Sequence, residues 1–301
     1  MRIVFTDLDD TLLAHDKSVP DNVVRALGEL QRRGIPFVPC TGRPLRGLPA
    51  LVAALPGVSH VIASDGAAIY EVQVQGAARS ALEARAAEDV RAYAGDELWS
   101  CARQIHAEPL GVERTLALYE LVRTMDVTFD VFVEGRAMAE RKRWERIGQI
   151  GLDPDLEQLI RTMRTPYDGT VTTLLPAAGE VERVTVMWWH PGDRERVLDA
   201  VEQLGLHAVS SGRHNLEITA PGTTKGSAVR WLCAHLGIDA ADAMAFGDSG
   251  NDVAMLQAVG MGVAMANASA DAKACATHVT ELDCDAGGEG AHLLGVLGLG
   301  A

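Results

Sequence analysis

The chain has 301 residues, with 41 acidic and 27 basic side chains, and its formal net charge is -14. This acidic balance argues against nucleic acid and anionic membranes as main partners, because like charges repel. A hydrophobic fraction of 48% excludes a disordered chain, and the length predicts about two domains. No apolar run reaches the roughly 18 residues of a membrane helix. Carboxylates interrupt the N-terminal apolar stretch, so we expect no secretory signal.

The five cysteines are scattered and none lies in a C-x-x-C pair. Their odd number and irregular spacing argue against a disulfide framework or a zinc site. We therefore predict packed, reduced thiols and a cytoplasmic protein.

Strand and helix patterns alternate at the start of the chain. An apolar run at residues 2–6 stops at an acidic cluster, and a helical pattern then runs from Pro20 to a terminating Gly34. Residues 35–38 predict a second strand, and residues 58–63 predict a third strand after an amphipathic stretch at 48–55. Such alternation predicts right-handed crossovers and a parallel sheet.

The middle of the chain has another character. Residues 77–165 show mainly helical periodicity, broken by a strand-like run at 127–133. The basic side chains of residues 136–146 could line the mouth of a substrate site, but a solvated helix face is the favoured interpretation. Further on, the patterns predict a strand at 181–189, a helix at 193–204, and short strands at 207–210 and 215–219. Their alternating polarity predicts a sheet that is covered on one face.

The first pattern returns after residue 223. It predicts a helix at 225–235 and strands at 243–247, 261–265 and 277–280. The predicted fold is therefore α/β, a doubly wound parallel sheet of about residues 1–75 and 218–301. A large α/β insertion of about residues 76–217 would interrupt it.

Polar clusters follow three of the predicted strands, at residues 7–11, 41–42 and 248–252. The carboxyl ends of parallel strands line one edge of a sheet, so these clusters should meet there. At least three carboxylates would then repel one another, and a divalent cation is the usual remedy. An all-oxygen set without a His or Cys cluster favours Mg²⁺.

Lys225 begins a predicted helix within the run Pro-Gly-Thr-Thr-Lys-Gly. Its charge and the free N–H groups at a helix start favour an anion, and the loops at Thr41-Gly42 and Gly250-Asn251 offer further donors. Carboxylates, Mg²⁺, a lysine and anion-binding loops together predict phosphoryl transfer.

These motifs resemble the four motifs of the haloacid dehalogenase superfamily of phosphohydrolases. They are Asp7-Leu8-Asp9-Asp10-Thr11, Thr41-Gly42-Arg43, Lys225-Gly226 and Gly247-Asp248-Ser249-Gly250-Asn251-Asp252. The stretch from Leu216, the run from Val263 to Ala268 and the place of the insertion are typical of its Cof-like branch, subfamily IIB, which includes sugar-phosphate phosphatases. The resemblance implies a Rossmann-type core and an inserted cap domain that selects the substrate.

The resemblance also implies roles for individual residues. Asp7 would be the nucleophile that forms an aspartyl-phosphate, and Asp9 would be the general acid and then the general base. Mg²⁺ would be held by Asp7, the backbone carbonyl of Asp9, and Asp248, with Asp252 orienting the neighbouring ligands. The phosphate would be held by Thr41, Gly42, Lys225, Asn251 and the backbone N–H of Leu8.

Asp65 departs from the branch, which usually has Asn at this place. If the position only shapes a turn, the two residues are near equivalents. If it touches the substrate, its charge would change the preference. Arg43 is a second candidate substrate contact, and Arg213 and Asn215 are candidates in a cap loop, although a surface turn explains these two equally well.

The predicted activity is Mg²⁺-dependent hydrolysis of a small phosphomonoester, with a sugar phosphate favoured, by a monomer or homodimer. A phosphomutase would use the same aspartyl-phosphate, and the sequence does not show whether water or a sugar hydroxyl discharges it. A phosphate-binding sensor is the alternative from another class. The intact pair Asp7 and Asp9 argues against the sensor, because a binder does not need an acid/base residue.

Overall fold

The computed structural model describes residues 1–177 and 179–299, which form two compact units. The first unit contains residues 1–106 with 224–299, and the second contains residues 107–223. The sequence predicted domain boundaries after residues 75 and 217. The two units of the structure are divided after residues 106 and 223 instead. Residues 76–106 belong to the first unit because they bond to it and pack in its core. The N–H of Ala94 donates to the carbonyl of Leu48 at 2.7 Å, and Leu82 is fully buried in the first unit's apolar core.

The first unit is an α/β structure with the following elements in chain order. They are β1 (Ile3–Thr6), α1 (Asp21–Arg32), β2 (Phe37–Pro39), α2 (Ala50–Ala53), β3 (His60–Ala63), β4 (Ala68–Val72), α3 (Gly76–Glu88), α4 (Gly95–Ser100) and β5 (Ala102–Ala107), whose last residue lies past the division. After the second unit come α10 (Lys225–His235), β12 (Ala243–Gly247), α11 (Val253–Leu256), β13 (Met261–Ala264), α12 (Ala270–Cys275), β14 (His278–Val279) and α13 (Gly288–Val296).

Five of these strands form a parallel sheet in the order β14-β13-β12-β1-β2. Strands β1, β2, β12 and β13 are mainly apolar and buried, as expected for a sheet that is covered on both faces, whereas the two-residue edge strand β14 is exposed. After β1 the chain places β2 on one side of the sheet, whereas after β12 it places β13 and β14 on the opposite side. The strand order therefore reverses between β1 and β12. Such a switch point is the usual binding place of a doubly wound sheet. The predicted α/β class is confirmed.

The third predicted strand lies beside β2 but is bound mainly to β4. β3 pairs with β4 in an antiparallel hairpin, and isolated parallel bridges connect β2 and β3 at Phe37–Val58 and Cys40–Ile62. The end of β3 is therefore held close to the end of β2, where the Thr41-Gly42 loop begins.

The second unit contains a mixed sheet and its helices. Its elements are α5 (Val112–Val122), β6 (Asp130–Val133), β7 (Arg136–Glu140), α6 (Arg141–Trp144), α7 (Pro154–Met163), β8 (Arg164–Tyr167), α8 (Val171–Leu174), β9 (Val181–Met187), α9 (Gly192–Gln203), β10 (His207–Val209) and β11 (Asn215–Thr219). The sheet order is β10-β11-β9-β6-β7-β8, and only β7 and β8 pair in parallel. Val184, Val186 and Ile218 lie on the face that joins the apolar core with Leu118 and Val197 from the helices.

The prediction of a helical region at 77–165 was wrong for three strands, β5, β7 and β8. Glu134 and Gly135 both have positive φ and form the tight turn that pairs β6 with β7. Of the basic residues at 136–146, Arg141, Lys142 and Arg143 lie in the short helix α6, so the predicted solvated helix face is limited to one turn. Arg136 lies in β7, and Arg146 binds Asp126 at 2.8 Å and lies over the ring of Trp189. None of the helices in the described residues is long and apolar enough to span a bilayer.

Candidate active site

A buried lysine joins two carboxylates at the carboxyl edge of the parallel sheet. Lys225 begins α10, and its Nζ donates to Asp7 Oδ1 at 2.8 Å and to Asp252 Oδ1 at 2.7 Å. All three side chains are buried. Burial by itself lowers the pKa of Lys225, but the charges of Asp252 and Asp7 outweigh it and raise that pKa. The lysine therefore stays charged and binds the ends of two distant segments together.

Asp248 adds a third carboxylate to this group. Carboxylate oxygens of Asp7, Asp248 and Asp252 lie within 4.8 Å of one another. Burial and then the charge of Asp252 raise the pKa of Asp248 to about 7, and the same causes raise the pKa of Asp7 well above its ordinary range. Three carboxylates and one lysine leave an excess of negative charge, which a divalent cation would offset. The all-oxygen donor set fits Mg²⁺.

Both carboxylate oxygens of Asp252 accept hydrogen bonds. Its Oδ1 accepts from Lys225, and its Oδ2 accepts the N–H groups of Asp248 and Ser249, both at 3.0 Å. The loop packs so closely that a Cβ atom at Gly247 would lie 2.5 Å from the Cβ of Asp252. Asp252 therefore shapes the loop that carries Asp248, which fits the orienting role implied by the resemblance.

Two cations hold Asp9. Arg43 donates from Nε to Oδ2 at 2.8 Å and from Nη2 to Oδ1 at 2.7 Å, and Lys17 Nζ donates to Oδ1 at 3.1 Å. Burial alone would raise the pKa of Asp9, but the charges and hydrogen bonds of Arg43 and Lys17 hold that pKa well below its ordinary range. Asp9 is therefore ionised here, which is the form that accepts a proton. Arg43, a candidate substrate contact, is bound to Asp9 in this arrangement.

The loops after β2 and β3 are joined through Asp65. The N–H of Asp65 donates to the carbonyl of Thr41 at 3.1 Å, and Asn251 Nδ2 donates to Asp65 Oδ1 at 3.1 Å. Asp65 is buried with a φ of 55°, a backbone conformation that Asp and Asn adopt more readily than most residues. This geometry agrees with the turn-shaping interpretation and adds the positioning of Asn251. A contact of Asp65 with substrate remains a prediction.

The remaining predicted residues lie as follows. Leu8 is buried, and its carbonyl accepts the N–H groups of Thr11 at 3.3 Å and Leu13 at 2.9 Å, while Gly42 is half-buried beside Thr41. Arg213 is exposed before β11 in the second unit, and Asn215 at the start of β11 donates from Nδ2 to Ser211 Oγ at 2.9 Å. The phosphate and substrate contacts of these residues remain predictions.

Sequence reasoning missed two residues that support the site. Thr11 Oγ1 donates to Asp248 Oδ1 at 2.9 Å, and Lys17 binds Asp9. Thr11 was visible as the last residue of its motif, although no separate role was assigned to it. Lys17 follows Asp16 in a loop, and nothing in the local pattern indicates its partner.

A buried polar face on the sheet of the second unit was also missed. Arg164 Nε donates to Asp130 Oδ2 at 2.9 Å, and Arg183 lies 3.9 Å over the ring of Phe132 and donates to Thr185 Oγ1 at 2.9 Å. Asp130, Arg183 and Thr185 alternate with the apolar side chains of β6 and β9. Alternation of that kind predicts a solvent-facing side, so the sequence pattern gives no signal for their burial.

The comparisons with known proteins identify the family. A family model described as haloacid dehalogenase-like hydrolase matches residues 4–101 and 90–288, which is most of the chain. The chain belongs to the haloacid dehalogenase-like hydrolases. It is 26% identical to phosphatase YwpJ of Bacillus subtilis over 284 residues, covering 93% of this chain and 94% of that protein. The predicted resemblance to the Cof-like phosphatases is thereby confirmed.

Solved structures share this hydrolase's fold over nearly the whole chain. A haloacid dehalogenase-like hydrolase from Bacillus subtilis has a TM-score of 0.74 at 24% identity, covering 97% of this chain and 99% of that one. The sugar phosphatase BT4131, described as subclass IIB, has a TM-score of 0.71 at 18% identity, covering 99% and 100%. The chain is also 26% identical over 276 residues to the chloroplastic endoribonuclease YBEY of Arabidopsis thaliana, but spans only 43% of that longer protein.

Proposed function

We propose that this hydrolase cleaves a small phosphomonoester, a sugar phosphate as first choice, in a Mg²⁺-dependent reaction through an aspartyl-phosphate on Asp7. The single observation that carries the proposal is the Lys225 ammonium held between Asp7 and Asp252, with Asp248 beside them, at the switch point of the sheet. The fold shared with the sugar phosphatase BT4131 supports the choice of substrate class. So does the predicted cap role of the second unit.

In the first step a carboxylate oxygen of Asp7 attacks phosphorus, the bond from phosphorus to the leaving oxygen breaks, and that oxygen takes a proton from Asp9. In the second step water attacks phosphorus, Asp9 accepts its proton, and the Asp7 carboxylate leaves. Lys225 favours the ionised form of Asp7. Mg²⁺, when bound by Asp7, Asp248 and the carbonyl of Asp9, would supply positive charge against the phosphate oxygens.

The ion pair between Asp9 and Arg43 places a condition on this mechanism. A carboxylate that accepts two hydrogen bonds from a guanidinium does not carry the proton that the first step needs. Asp9 must therefore exchange Arg43 for the substrate before it acts as an acid. Arg43 is then released to bind the substrate, the contact predicted for it. Thr41, Gly42, Asn251 and the N–H of Leu8 would hold the phosphoryl oxygens.

The test is phosphate release from sugar phosphates, nucleotides, flavin mononucleotide and pyridoxal phosphate, each with Mg²⁺ and with EDTA. Asp7→Asn should abolish release, whereas Asp168→Asn, an exposed carboxylate of the second unit, should leave it unchanged. On p-nitrophenyl phosphate, whose leaving group needs no proton, Asp9→Asn should accumulate a phosphorylated protein, detectable by mass spectrometry, because water is no longer activated. Release that survives EDTA or Asp7→Asn would refute the mechanism.

The same assay separates the two alternatives. A phosphomutase would transfer labelled phosphoryl groups to a sugar hydroxyl instead of to water. A sensor would bind phosphate ligands and release nothing from any of them. We further propose that the protein is cytoplasmic and that it is a monomer or a homodimer. Light scattering of the purified protein would measure its oligomeric state. The five free thiols support a reducing environment.

A further inference from the structure

A further buried carboxyl group lies close to the candidate nucleophile. Glu289, in the first turn of α13, is fully buried, and its Oε2 lies 2.8 Å from Thr6 Oγ1. Thr6 is the last residue of β1 and directly precedes Asp7. Within the described part of the chain, Glu289 has no ion pair, and its Oε1 has no hydrogen-bond partner. A carboxylate in such a place would be costly, because a buried charge needs a partner.

The Thr6 hydroxyl has two neighbours but only one hydrogen. Its Oγ1 lies 2.8 Å from Glu289 Oε2 and 2.8 Å from the backbone carbonyl oxygen of Asp7. In a continued parallel ladder that carbonyl would accept the N–H of Asp248, but this N–H donates to Asp252 Oδ2 at 3.0 Å instead. The Thr6 hydroxyl donates to the carbonyl of Asp7 in place of that N–H. Since a carbonyl can only accept, the contact between Thr6 and Glu289 needs a hydrogen on Glu289.

We propose that Glu289 is a positioning residue, held as the neutral acid, that fixes the backbone of Asp7 through the hydroxyl of Thr6. The O–H of Glu289 donates to Thr6 Oγ1, and the O–H of Thr6 donates to the carbonyl of Asp7. This chain of hydrogen bonds sets the direction of the Asp7 peptide and so the aim of its carboxylate. An ionised Glu289 would take the hydrogen of Thr6 and release that carbonyl. The inference rests on the proposed function of Asp7.

The surroundings of Glu289 agree with this assignment. Burial raises the pKa of Glu289 to about 8, only partly opposed by its bond to Thr6. The helix α13 carries His292, whose ring lies edge-on to Phe246 and His278. The titratable groups on the elements packed around it are Asp21, Arg25, Glu29 and Arg32 on α1, Arg33 directly after α1, and Asp7 beyond Thr6. Glu29 is paired with Arg33, and burial lowers the pKa of His292. No described group therefore supplies a charge that would ionise Glu289 near neutral pH.

The test compares Glu289→Gln, Glu289→Met and Thr6→Val in the full-length protein, on the best substrate of the panel. The amide of the Gln variant can donate to Thr6 as the neutral acid does, so its kcat at pH 7 should match the wild type. It should also lose the decline in kcat that the wild type shows above about pH 8. Glu289→Met and Thr6→Val should each lower kcat roughly ten- to hundredfold with KM little changed, since they misplace the nucleophile. Their combination should be no worse than either alone.

A readout without turnover separates this inference from the proposed function. The carboxylic acid C=O infrared band of Glu289, isolated as the difference between wild type and Glu289→Gln, should be present at pH 7 and lost at high pH. If the band is present but no substrate releases phosphate, Glu289 is the neutral acid as proposed and the proposed function is overturned. Phosphate release with no such band, or with the same alkaline decline in the Gln variant, would overturn the role of Glu289.

Discussion

Gly226 lies where α10 meets α11, and replacing it with alanine should disturb both stability and activity. A Cβ atom at Gly226 would lie 2.1 Å from the backbone oxygen of Ala254, whereas real Cβ contacts stay above 3.0 Å. The positions of the added Cβ atom and of the Ala254 oxygen are both fixed by the backbone, so no side-chain rotamer relieves the clash. The two helices must therefore separate by about 1 Å. Overpacking of this kind lowers the free energy of unfolding by up to about 3 kcal/mol. The higher helix propensity of alanine raises it by at most about 1 kcal/mol. The expected net loss is about 2 kcal/mol.

The matched control is Gly28→Ala in the middle of α1, where an added Cβ meets no atom within 4 Å. This variant should gain up to about 1 kcal/mol from helix propensity and keep its activity. Urea unfolding gives the stability of both variants from the transition midpoint at constant m. A shift of about 1 Å in α10 moves Lys225 away from Asp7, so kcat of the Gly226 variant should fall by about a hundredfold. Equal stability of the two variants would refute the packing argument.

Three further predictions concern the site. Because burial raises the pKa of Asp248 to about 7 and also raises that of Asp7, Mg²⁺ must displace at least one proton at lower pH, so its apparent affinity should fall at least about tenfold per pH unit below 7. Mg²⁺ titrations of activity at pH 6 and pH 8 measure this, and equal affinities would contradict it. Arg43→Lys keeps the charge but loses the two-bond fork to Asp9, so the pKa of Asp9 should rise. The alkaline limb of the kcat/KM profile, where Asp9 loses the proton that the first step needs, should then shift upward, and kcat should fall about tenfold. Asp65→Asn keeps an acceptor for Asn251, whereas Asp65→Ala removes it. Steady-state kinetics should therefore show little change in the first and a clear loss in the second, and equal losses would indicate a direct role of the Asp65 charge.

Local patterns in the sequence predicted the parallel sheet and most of the residues that meet at its edge. Asp7, Lys225 and Asp248 could be brought together on paper because parallel strands place their carboxyl ends at one edge. The same patterns failed where tertiary contacts decide. Residues 76–106 read as part of the insertion, but their core packing and hydrogen bonds hold them in the first unit. Strand β7 was predicted as helix because its residues, Arg-Ala-Met-Ala-Glu, all have high helix propensity.

The partners of the site residues came only from the tertiary structure. Asp9 is an acid/base candidate in the sequence, but its ionised state depends on Arg43 and Lys17, and the sequence pattern does not show which cations reach it. Thr6 and Glu289 stand 283 positions apart, and each looks like an ordinary residue of its own element. The sequence by itself determined the strands, the helix starts and the chemical groups at their ends, because these depend on neighbouring residues. The tertiary structure decided which of those groups share a proton or a charge, because that depends on burial and on distances of about 3 Å between segments far apart in the chain.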